Sequence, residues 1–158
     1  MMKKIAMILL LCLLGAVLAG CSSSVSEEPA PAVTSEPLTV DLDLSGLSGT
    51  VVYSQVYNIL SEPEPYMGKV IRMAGYYSFY EDKERGVVYH ACVIPDATAC
   101  CAQGIEFVWA GEHAWPADYP EVGEDIIVTG RFSSYDEDGI TYYNLIDAEM
   151  VLAEKENP

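Results

Sequence analysis

Gly68-Lys69-Val70-Ile71-Arg72-Met73-Ala74-Gly75-Tyr76-Tyr77 and Gly123-Glu124-Asp125-Ile126-Ile127-Val128-Thr129-Gly130-Arg131-Phe132 are one pattern written twice. Each segment starts on a glycine, runs through apolar and β-branched residues, and meets a second glycine seven positions on. A glycine inside a strand marks a bulge or a sharp coil. Small closed barrels need such residues where a strand bends round the barrel. Around and between these segments, five stretches carry strand chemistry between Gly, Pro and acidic turns: 69–79, 86–94, 105–109, 125–133 and 140–152. Asp138-Gly139 supplies hairpin-turn chemistry between the last two. Upstream, Tyr53, Val56, Tyr57 and Leu60 fall on one helical face, and Pro63 and Pro65 end that helix. The expected class is all-β with one short helix, a five-stranded OB-fold-like barrel over residues 50–158. A six-stranded barrel or an open sheet with one helix is the competing arrangement.

Charge restricts what such a barrel can bind. The chain has 158 residues, with 24 acidic side chains against 8 basic ones and a formal charge of −16. From residue 50 onward 19 acidic residues face 6 basic ones. Phosphate recognition needs clustered Lys and Arg, so no nucleic-acid partner is expected. Tyr76, Tyr77, Tyr80 and Tyr89 are able to stack on bases, but they lack the basic groove that would bring a strand to them.

The first 20 residues read as an export signal: Lys3 and Lys4, an apolar run from Ile5 to Val17, then small residues. Leu18-Ala19-Gly20-Cys21 resembles the bacterial lipobox, in which the signal is cut before the cysteine and its thiol is acylated. The resemblance implies lipidation at Cys21 and a lipid-anchored, extracytoplasmic protein of the bacterial cell envelope. Its mature form would carry a formal charge of −18, because both signal lysines are lost. Acyl chains would then supply the membrane attachment that so acidic a chain cannot obtain from anionic lipid. Residues 21–49, rich in Ser, Pro and Glu, read as a flexible acidic tether, within which Leu38 to Leu47 alternates enough for a short edge strand.

Beyond Cys12 and Cys21, three cysteines remain: Cys92, Cys100 and Cys101. In an oxidising compartment an odd count leaves one thiol free, metal-bound or paired with another chain. Three readings stay open, of which plain buried thiols without any partner is one. His90 and Cys92 lie two apart on one strand face, and with Cys100 and Cys101 they make up a three-thiolate, one-imidazole set suited to zinc. Alternatively Cys92 forms a disulfide with Cys100 or Cys101, and His90 is an ordinary strand histidine. His113, beside Glu112 and Asp118, reads as a solvated loop histidine before it reads as a ligand.

Tyr66-Met67-Gly68-Lys69-Val70-Ile71 followed by Gly75, then Ala99-Cys100-Cys101-Ala102 with Gly104, resembles a bacterial family of membrane-associated proteins. Their soluble domains carry a Tyr-x-Gly-Lys motif, a strand ending in glycine and a Cys-Cys-x-Ala-Asp stretch. Some members are encoded beside permeases in zinc-responsive loci, so the resemblance implies metal handling, with Cys100 and Cys101 as site residues. It covers Glu62 to Gly111, and this chain departs from it at Ala102-Gln103 and in relying on a lipid for attachment.

No nucleophile elbow, phosphate-cradling loop or metalloprotease helix appears, so the expectation is a non-enzymatic accessory or binding protein. Zinc is its expected cofactor, and an envelope protein or transporter its expected partner. The alternative is a disulfide-stapled structural or protein-interaction module without metal.

Overall fold

The computed structural model describes residues 38–98 and 100–153. The signal peptide, Cys21 and the tether up to residue 37 lie outside the described residues. The described chain forms strand β1 (Leu42–Asp43), helix α1 (Gly49–Ser61), a 3-10 turn at Glu64–Tyr66 and five longer strands. These are β2 (Val70–Asp82), β3 (Val87–Pro95), β4 (Ala102–Trp109), β5 (Asp125–Glu137) and β6 (Ile140–Leu152). The class is β-rich with one short helix, as the periodicity predicts.

The strands hydrogen-bond in the order β1-β2-β3-β4-β6-β5, and β2 also pairs with β5. Five strands therefore close a ring, with β1 as a sixth added outside it. The closing strand is β2, which pairs through Val70–Tyr76 with β5 and through Tyr76–Asp82 with β3. It changes partners at Gly75 and Tyr76. A methyl group placed on Gly75 would lie 2.5 Å from the Val93 carbonyl oxygen and 2.8 Å from Cys92 Sγ. The second copy of the pattern behaves alike. Gly130 sits at the register shift between β5 and β6, where a methyl would meet Leu145 Cβ at 2.9 Å. The glycines that begin the two segments, Gly68 and Gly123, have φ of 78° and 91°, a left-handed conformation in which a side chain is strained. At the β5–β6 hairpin Asp138 and Gly139 have φ of 52° and 79°, the two-residue turn that their sequence signals.

Two expectations need correction. The helix buries Val52, Val56 and Ile59, whereas Tyr57 is 58% exposed. Branched aliphatic side chains lose all contact with water at no polar cost, while a tyrosine keeps its hydroxyl wet, so the buried face is rotated by about one residue. The folded part also begins before residue 50. Leu42 and Asp43 add in parallel to Ile71 and Arg72 of β2, and Leu44 is buried in the core. The Asp41 carboxylate accepts a hydrogen bond from the Val70 amide at 2.8 Å, which fixes this short parallel edge. Helix α1 packs against β2, β3 and β4, with Val52 beside Gly75 and Ile94.

Candidate functional site

Strand β3 carries two of the four sequence-predicted ligands, His90 and Cys92, and the structure separates them from Cys100 and Cys101. His90, Cys92 and Ile94 point inward, but Cys92 is fully buried against Gly75 and burial pushes its thiol up to about 12. A thiol so held is a small apolar core residue and a poor nucleophile or ligand. Cys100 and Cys101 lie in the exposed loop between β3 and β4. All three thiols are free, so the disulfide between Cys92 and Cys100 or Cys101 is not formed. The four-residue metal set is not assembled either. The group that comes together is Asp96, Cys100 and Cys101, whose ligand atoms all lie within 4.8 Å of one another.

Asp96 organises this loop. One carboxylate oxygen accepts from the amides of Thr98 and Cys100, each at 3.0 Å, and the Asp96 amide donates to the Cys101 carbonyl at 2.8 Å. The Cys100 Sγ is 3.3 Å from the other carboxylate oxygen and 3.7 Å from Cys101 Sγ. Desolvation pushes the Asp96 carboxyl up, but hydrogen bonds from Cys100, Thr98 and the loop amides outweigh it and hold the carboxyl below its usual range. The Cys101 thiol is shifted upward, first by its contact with Cys100 and further by burial and the nearby carboxylate. Adjacent cysteines ordinarily diverge; here a turn closed by an aspartate brings their sulfurs to one side. The sequence marks the cysteine pair by residue type but not Asp96, although Pro95-Asp96 is a turn signal followed by Thr98.

His90 has a different environment. Its Nδ1 shares a 2.8 Å hydrogen bond with the hydroxyl of Tyr77, itself fully buried. The Tyr119 ring stacks on the imidazole at 4.0 Å and 16°, and Trp115 lies 5.2 Å away. Burial lowers its pKa to about 4. A neutral imidazole inside an aromatic cluster is a packing group with one satisfied nitrogen. The loop that delivers Trp115 and Tyr119 runs from β4 to β5, and only tertiary structure shows that it folds back over β3. His113 stacks on Trp109 at 3.6 Å and its Nε2 bonds the Ala110 carbonyl, so it is held by the fold and is not a free loop histidine. Asp118 caps the Ala114 amide at 2.6 Å.

The strands themselves leave an opening beside His90. The β3–β4 pairing ends at His90 and Phe107; before that point Val87, Val88 and Tyr89 pair only with β2. After it, β4 shifts register and Trp109 aligns with Ala148 of β6. A cleft of about 420 Å³ opens where the strands part, bounded by Val87 and Tyr89 on one side and Phe107, Trp109 and Tyr119 on the other. Beyond it, Arg85 in the β2–β3 turn pairs with Glu137 at 2.8 Å and with Asp138, tying the two hairpin tips together. The acidic run at Asp136–Asp138 is thus engaged by a cation of the chain itself.

Among the described residues no helix is long and apolar enough to cross a membrane. Comparison with protein-family models, with curated proteins and with solved structures found no match to this chain.

Proposed function

We propose that the chain is an accessory binding protein of the bacterial cell envelope, held at a membrane by acyl chains on Cys21, and that it handles a thiophilic metal at Cys100, Cys101 and Asp96. The single observation that supports this reading is the convergence of two thiols and one carboxylate at an exposed loop. Two sulfur donors and one oxygen donor suit zinc, with a fourth position left for water or for a ligand from a partner. Exposure of both sulfurs favours loading and transfer over a closed structural role. The partner would then be another envelope protein or a transporter that accepts the metal, and the function is binding, not catalysis. His90 and Cys92, expected in the ligand set from sequence, have no part in this reading.

Zinc competition against a chromophoric chelator, on the detergent-solubilised full chain with thiols reduced, tests it. Binding should disappear in Cys100→Ser and Cys101→Ser and persist in Cys92→Ser and His90→Gln. It should strengthen as pH rises, because metal displaces the thiol protons. Undiminished binding in the double Cys100→Ser/Cys101→Ser variant would overturn the site. An intact mass two protons light, with no metal, would favour the stapled interaction module instead.

A further inference from the structure

The cleft beside His90 is lined by a residue whose buried side-chain oxygen has no hydrogen-bond partner among the described residues. Among the described residues, the buried side-chain nitrogen and oxygen atoms without a hydrogen-bond partner are Arg72 Nε and Asn144 Oδ1. Asn144, 7% exposed on β6, lines that cleft. A buried carbonyl without a donor is costly to maintain, and such atoms in native folds mark places where a water or ligand supplies the missing bond. Glu106 of β4, aligned with Asn144 across the β4–β6 pairing, lines the same cleft. Its carboxylate accepts a 2.6 Å hydrogen bond from Tyr135 and carries the only charge of the lining. The remaining wall is apolar or aromatic, with Phe107, Trp109 and Tyr119 offering ring surface. Among the described residues no lysine or arginine lines it.

We infer that this cleft is a binding site for a small organic cation, a primary ammonium carried on an apolar or aromatic body. The ammonium donates to Asn144 Oδ1, is neutralised by Glu106 and lies among aromatic rings, whose faces attract a desolvated cation. The body replaces water against Phe107, Trp109 and Tyr119. A volume of about 420 Å³ fits a ligand at the small end of the usual range. Anions are rejected, since the single carboxylate has no counter-charge in the wall. The strand separation that creates the cleft is independent of the thiol loop at the other end of β3, so this site is distinct from the proposed metal site.

Tryptophan fluorescence and calorimetric titration of the detergent-solubilised full chain with benzylamine, benzyl alcohol and benzoate test the inference. Benzylamine should bind saturably and about tenfold or more tighter than benzyl alcohol, as a charge-assisted hydrogen bond implies, and benzoate should not bind. Asn144→Leu should weaken benzylamine by about tenfold while raising the melting temperature, because it removes an unpaired buried acceptor without leaving a void. Glu106→Gln should weaken benzylamine and leave benzyl alcohol unaffected. The Cys100→Ser/Cys101→Ser variant should bind benzylamine as the parent does, which separates this site from the metal reading. Equal affinity for all three probes, absence of benzylamine binding at millimolar concentration, or full affinity in both Asn144→Leu and Glu106→Gln would overturn it.

Discussion

The C-terminal end of β3 and its middle place side chains of similar chemical promise in opposite circumstances. Toward Pro95 the chain leaves the sheet, an aspartate closes a turn, and two thiols stand in solvent. In the inward-facing middle, Cys92 is sealed beneath Gly75, and His90 is enclosed by Tyr77 and Tyr119. Residue type alone would rank these groups together. What separates them is whether the backbone still has a strand partner: inside the ring a polar side chain is absorbed by packing, and outside it the same chemistry remains available to a ligand.

Thiol reactivity should separate the two environments most widely. Native chain treated with iodoacetamide should modify Cys100 quickly, whereas Cys92 should react only through unfolding. For ordinary domain stabilities that gap is on the order of a thousandfold or more, resolved by peptide mass spectrometry with and without denaturant. Comparable native rates would mean that the Cys92 environment is open. Next in size is Gly75→Ala. The added methyl presses on a backbone carbonyl as well as on Cys92, so a loss of about 3 kcal/mol or more is expected in urea unfolding. Adding Cys92→Ala should relieve only part of it, since the Val93 carbonyl cannot retreat.

A smaller effect follows from His90. Its folded pKa of about 4 lies below the ordinary value of 6.5, so across that interval the unfolded chain binds a proton that the folded chain refuses. Stability should therefore fall as pH drops from 6.5 toward 4, by about 1–2 kcal/mol after allowance for solvent screening at a half-buried ring. His90→Phe should flatten that limb in a series of melts against pH, and an unchanged limb would assign it to carboxylates. Smallest is Tyr77→Phe, which removes the partner of His90 Nδ1 while keeping the ring. It should cost about 1 kcal/mol in the same unfolding assay.

The fold was largely legible because its strongest signals are local. The repeated glycine spacing marks the two places where β2 and β5 bend, and Asp138-Gly139 marks the hairpin tip. The short parallel edge at Leu42–Asp43 was legible only as an alternation over Leu38 to Leu47, since its place in the sheet depends on Asp41 reaching Val70 across the fold. The candidate site was half legible. Cys100 and Cys101 stand out by type, but the grouping with Asp96 comes from a turn. The grouping with His90 and Cys92 fails because facing inward on a strand means burial in a closed ring. Asn144 gave no signal at all: a single amide within an alternating strand becomes informative only when its neighbours leave its oxygen without a donor.

The place where the chain enters the fold has a mechanical consequence. Residue 38 leads into a two-residue strand and the single plug of Leu44, whereas the ring behind them is held by strands of up to 13 residues. A pull transmitted from the N-terminal side therefore loads the weakest pairing first. β1 and its plug would let go before the ring distorts, releasing slack at up to about 3.5 Å per residue. The fold thus sets its weakest pairing at the point where the chain enters it, outside the ring of strands that carries the thiol loop and the cleft.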